Sequence, residues 1–296
     1  PDVGEFTTTQ VGQLTSVQLS SLSTTALAGL TSTAFGVLNA TQLKGLTATQ
    51  LNAVSSTDLG GLTSSQLGVF SGTQLNALTT SNAALLTTTQ LSGLSAAQVG
   101  QIHSTNLSAL SSTQVQSLTT TQLVGFTATQ AKGLSSADFG DFSSTQILSL
   151  SGAQLSGLSS TNLGSLSSTE LKALSSTQLS GLTTAQVASL SSTNADNLTS
   201  TQLGELSAAQ VGALDSAALS SLNSTQAQAV GSTQLASLTA TQIRGLTATD
   251  IGEFTTTQIG ELSSKQLSAL STTALNALST TQVGLLSTTQ EIGRAP

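Results

Sequence analysis

The sequence predicts an all-α solenoid built from very short helices, one for every eight residues. Three observations lead there. From Phe6 to Gly293 the chain divides into 36 octads with no insertion or deletion, and each begins with Leu, Val, Ile or Phe. The second position is Ser or Thr in 31 copies and the fifth is Gln, Asn, Asp or Glu in 32. The apolar positions, 1 and 6, are spaced five and then three residues apart, which suits neither one long helix nor a straight strand.

One octad, Leu86–Gly93 with the sequence LTTTQLSG, carries the whole argument. Ser or Thr followed three residues later by Gln is a capping box. The hydroxyl accepts the N3 amide proton, and the Gln side chain accepts the cap's own N–H. Thr87 and Gln90 fill these roles, as do Ser175 and Gln178. Leu86 and Leu91 then flank the helix start as a hydrophobic staple. The exceptions at position 2 support a cap, because Asn39, Asp215, Asn223 and Gly231 are all N-cap residue types and only His103 is not. A continuous α-helix would turn about 800° in eight residues, so the leucine row would drift about 80° per octad and form no stripe. In a straight strand, odd apolar spacings would send Leu86 and Leu91 to opposite faces. A β-solenoid with a bend in every octad is the alternative, since Thr and Val suit strands. A helix of one and a half turns does not survive alone in water. The octads must therefore stack on one another, with positions 1 and 6 inward, as in other fixed-period arrays.

Composition agrees. Charged residues are 6% of the chain, and Cys, Met, Trp and Tyr are absent. A globular domain carries about four times that charge. Residues 1–296 are expected to form a single elongated repeat array, a segment of a longer one. A second, longer repeat overlies the octads: Asp2–Thr25 closely matches Asp250–Thr273, an offset of 248 residues. No apolar run is long enough to insert in a membrane. The period decays at Glu291 and Ile292, which stand at positions 6 and 7.

The basic residues Lys44, Lys132, Lys172 and Arg244 all occupy position 7, which should therefore face water. Ala replaces the large apolar residue at Ala83, Ala131, Ala195 and Ala227. These octads should be soft, and Asn194–Asn197 the softest.

Chemistry-bearing residues are few. His103 is the single histidine and Cys is absent, so zinc sites and nucleophilic constellations lack parts. The serines are explained by the repeat, and no enzymatic activity and no cofactor is expected. Asp2 and Glu5, Asp138 and Asp141, and Asp250 and Glu253 form three D-x-x-D/E pairs. They are weak calcium candidates if stacking brings them together; otherwise they serve the helix dipole and solubility. A net charge of −7 with six basic residues opposes nucleic-acid binding.

Leu182, Thr183, Gln186 and Val187 resemble the opening of each repeat in TAL effectors of plant pathogens. Those repeats are far longer, and the likeness reflects shared capping chemistry. More broadly, units such as LSSTQLSG at Leu174–Gly181 resemble the L-[ST]-x-x-Q-[LV]-x-x octapeptide arrays of very large secreted and surface proteins of Gram-negative bacteria. Those arrays are often described as adhesin-like or calcium-binding repeats. The resemblance implies an extracellular or cell-surface location and a structural role: an adhesin stalk, a spacer, or a filament subunit that self-associates into fibres or lateral assemblies. The alternative is a binding module whose regular Ser/Thr face takes ice or carbohydrate, or carries surface glycans.

Overall fold

The computed structural model of the chain describes residues 3–286. After a 3-10 turn at Val3–Glu5, 35 α-helices follow among the described residues, from Thr8–Gln13 to Thr280–Gly284, one in each of the first 35 octads. No strand occurs among the described residues, so the β-solenoid alternative is not adopted. Glu291 and Ile292 lie outside the described residues.

Each helix starts and stops for a local reason. The position-2 residue is extended, as at Thr87 with φ −75° and ψ 156°, and the helix begins after it. The longer helices end when the next leucine turns extended, as at Leu14 with φ −61° and ψ 135°. Shorter ones close with position 8 still right-handed, as at Gly61 with φ −73° and ψ −14°. No described residue has a positive φ, so no helix here ends in a left-handed glycine cap. Where the longer helices end, an extended leucine and the extended cap after it, as at Leu14 and Thr15, make the corner.

Two compact units are present, residues 1–150 and 151–296. Within each, a helix packs chiefly on the helix three octads away. In the first unit Ser16–Ser20 packs on Ala40–Gly45, and Ser32–Gly36 on Ser56–Gly60. In the second unit Ser200–Glu205 packs on Ser224–Ala229, and Ala240–Gly245 on Ser264–Ala269. The coil size, which the octad alone does not fix, thus lies between three and four octads.

Positions 1 and 6 fill the interior of both units. Leu43, Leu51, Leu67, Leu155 and Leu203 are fully buried. Lys44, Lys132, Lys172 and Arg244 at position 7 are exposed, as their charge requires. Ala83, Ala131, Ala195 and Ala227 are buried too. A space of about 20 Å³ remains beside Ala83, about the room of one water, where a leucine would otherwise reach.

Candidate functional site

The feature that recurs through both units is the glutamine of each octad. Its oxygen closes the cap as read from the sequence. Gln90 Oε1 accepts from Thr87 N at 2.9 Å, while Gln90 N donates to Thr87 Oγ1 at 3.1 Å. Ser175 and Gln178 form the same box at 2.9 and 3.3 Å. Asp215 accepts from Ala218 N at 2.6 Å, and Asn223 from Gln226 N at 3.1 Å. His103 makes no side-chain cap bond.

The glutamine nitrogen has a second task. Gln90 Nε2 donates to the carbonyls of Leu59 and Leu62, both at 2.8 Å, in the coil below. Gln122, Gln186, Gln210 and Gln258 repeat this pattern 31 and 28 residues back. Leu59 lies in the last turn of its helix, where its oxygen also accepts from Leu62 N at 3.2 Å, and Leu62 lies just beyond the helix end. Each glutamine therefore caps its own helix at the N-terminus and another at the C-terminus. The side chain is buried: Gln90 is 3% exposed. Asn at the same position is shorter. Asn82 Nδ2 reaches Val54 O at 2.8 Å, but the octad at Asn194 makes its coil-to-coil bond, to Gly164 O, only at 3.4 Å.

A second coil-to-coil pairing joins position 3 of one octad to position 8 of the octad 29 residues on. A Cβ built on Gly45 would stand 2.6 Å from Ser16 Cβ, and one on Gly133 would stand 2.5 Å from Ser104 Cβ. The small residues at position 8 are thus required for close approach of coils, not for backbone conformation.

The acidic pairs are placed apart. Asp2 lies outside the described residues, and no group of three His, Cys, Asp or Glu able to hold a metal occurs among the described residues. Glu5 is exposed beside the first helix. Asp138 accepts from Ser135 N and from Ser108 Oγ, both at 2.9 Å. Asp250 accepts from Thr247 N at 2.7 Å and Ser220 Oγ at 2.5 Å. Ser108 and Ser220 both stand 30 residues before their aspartate. A carboxylate has no proton for the carbonyls below it, so here the coil-to-coil bond runs the other way, from the serine hydroxyl to the carboxylate. Burial raises the Asp138 pKa, but the Ser135 and Ser108 hydrogen bonds outweigh it and the net shift is downward. Burial, and then the Asp250 charge, push Glu253 up. Asp141 and Glu253 follow one turn later, and each pair flanks a small gap next to Phe142 or Phe254.

In the first unit an open groove of about 680 Å³ runs past Ser71, Asn76, Gln101 and His103. A second hollow of about 400 Å³, lined by Thr49 and Asn52, shares Ala48, Asn76 and Ala77 with it. Asn76 Nδ2 donates to Gln101 O and Asn76 Oδ1 accepts from His103 N, both at 2.7 Å. The imidazole of His103 is left exposed.

Residues 160–192 match the family model of the ALTTAQ repeat. That stretch includes LTTAQ at Leu182–Gln186, the cap, first turn and glutamine of one octad. The chain is a repeat protein. Comparison with curated proteins gives no match. The glutamine's second role and the position 3 to 8 pairing are not visible in the octad, because both operate at separations that are not multiples of eight. Serine stands 30 residues ahead of Asp138 and Asp250, but also ahead of Gln122 and Gln186, and Ala28 stands there for Asp58, so the sequence carries no signal for that contact.

Proposed function

We propose that the protein is a non-enzymatic structural array, working as a spacer, an adhesin stalk or a filament subunit outside the cell or on its surface. The glutamine ladder carries this reading. Its polar groups are committed, Oε1 to the cap of its own helix and Nε2 to the carbonyls of the coil below, as at Gln122. Groups so engaged are not available for chemistry, and the repeat spreads load over many equal contacts. No helix among the described residues is long and apolar enough to cross a membrane. The family match supports the repeat character. Self-association into fibres or lateral assemblies is part of the proposal, and nucleic acid is not a partner given the charge of −7.

Electron microscopy of the purified chain tests the reading, with fibres or bundles as the expected result. Compact, monodisperse globules at every concentration would sink it.

A second reading rests on one observation. Thr88 and Thr89, at positions 3 and 4, are exposed, as are Thr120 and Thr121 in a later octad. Such rows form a hydroxyl face suited to ice, carbohydrate or attached glycans. Thermal hysteresis and glycan-array binding by the purified chain would favour it over the first.

A further inference from the structure

The groove at Asn76 is where the repeat grammar breaks, and the breaks converge. Position 8 is normally small, yet here it is Gln101. Position 3, 29 residues earlier, is normally Ser, Thr or Ala, yet here it is Gly72. A Cβ on Gly72 would stand 2.6 Å from Gln101 Cβ and 2.8 Å from its Cδ. The usual pairing is therefore reversed: glycine sits on the lower coil so that a long amide can lie on the upper one. Position 2 is normally a cap, yet here it is His103, and its N–H is held by Asn76 rather than by its own octad. Asn52 and Asn76 occupy the same position, 7, in octads three apart, and the helices Ala48–Asn52, Gly72–Asn76 and Ala96–Gln101 stack in that order. Substitutions spread over 52 residues of sequence, Asn52 to His103, thus meet along one track.

The chemistry of that track is specific. No charged side chain lines either hollow. What lines them is amide, hydroxyl and imidazole, groups that donate and accept hydrogen bonds, over a floor that includes Ala48 and Ala77. Asn76 is already used to hold the turn, which leaves Asn52, Gln101 and His103 facing outward, and all three are exposed. A hydroxyl-rich, uncharged ligand with C–H faces matches this surface. An anion would find no fixed cation and a cation no carboxylate.

We propose that this groove and the hollow adjoining it bind a neutral oligosaccharide chain laid across three successive coils, with the amide of Asn52 in the hollow and the amide of Gln101 and the imidazole of His103 in the groove as its hydrogen-bonding partners. The site is separate from the Ser/Thr face, and it stands whether or not the chain forms fibres.

His103 is the only histidine, so its ring gives one unambiguous NMR resonance pair. The test titrates the full chain with β-linked neutral hexasaccharides of glucose and of N-acetylglucosamine, and with polygalacturonate as the anionic comparison. The expected result is a saturable shift of the His103 ring with at least one neutral sugar. Binding should weaken about fivefold or more in Gln101→Ala and in Asn52→Ala, the loss of one hydrogen bond each. Both residues are exposed and outside the glutamine ladder, so the variants should melt like the parent. Gln228→Ala, in the other unit, should bind as the parent does. The proposal is overturned if no neutral sugar shifts His103 in the millimolar range. It is equally overturned if only polygalacturonate does so, or if the shift survives both alanine variants undiminished.

Discussion

Gln122 Nε2 stands 2.8 Å from the carbonyl oxygen of Leu94, 28 residues earlier, while its Oε1 stands 2.9 Å from Thr119 N. One amide thus closes the start of its own helix and the end of a helix in the coil below. Because 28 residues is three and a half octads, this contact sets the advance of the coil as well as its stability.

Replacing that donor should show it. Gln122→Glu keeps the oxygen for the cap but sets a carboxylate against the Leu91 and Leu94 carbonyls. A loss of about 3 kcal/mol is expected, from an unsatisfied buried polar contact. Gln18 is exposed, and among the described residues its side chain bonds only to Thr15, within its cap. Gln18→Glu should change stability by no more than about 0.5 kcal/mol. Urea denaturation with hydrogen exchange around each site makes the comparison, and equal losses at both would remove the second role.

Caps can be tested in both directions. Thr87→Val leaves Gln90 N without its acceptor and should cost about 1 kcal/mol. His103→Ser supplies a missing cap and should gain about as much. Thermal melts of the two single variants suffice; a destabilised His103→Ser would mean the imidazole has another structural task.

Glycines should divide into two classes. A Cβ on Gly133 meets the Ser104 side chain and one on Gly181 meets the backbone of Gly152, both inside van der Waals contact. Gly133→Val and Gly181→Ala should therefore lose about 1–3 kcal/mol through overpacking. Nothing lies within 4 Å of a Cβ on Gly140 or Gly252. Alanine at those helical positions should stabilise by about 0.5–1 kcal/mol. Denaturation midpoints that fail to separate the classes would argue against close coil contact.

Two carboxylates should give opposite pH responses. Asp138 is held below its ordinary value, so its contribution is full above the unfolded-state pKa and fades as pH falls through the folded one. Asp138→Ala should lower the melting temperature at neutral pH, with the difference shrinking in acid. Glu253 is pushed up, so it favours folding only when protonated, and that contribution is lost as pH rises through its folded pKa. Glu253→Gln should raise the melting temperature at neutral pH and change little in acid. Melting curves across the acid range decide, and like signs for the two variants would contradict the assignment.

Helix starts are legible in the octad, because a cap is local, and the starts at His103 and Gly231 keep the same extended backbone without a side-chain cap bond. Thr87, Gln90 and the leucines on either side act within eight residues, and substitution by Asn223 or Asp215 obeys the same chemistry. The sequence also determined that positions 1 and 6 face inward and position 7 faces water. The number of octads in a coil, the need for a small position 8 at Gly45 and Gly133, and the bond from Ser108 to Asp138 come from packing between coils. That packing also set Asn52 in a hollow that adjoins the groove of Gln101 and His103. The difference is one of range. Capping bonds close within a single turn of chain, whereas the amide nitrogen, the bare Cα and the serine hydroxyl find their partners only after the chain has gone once around.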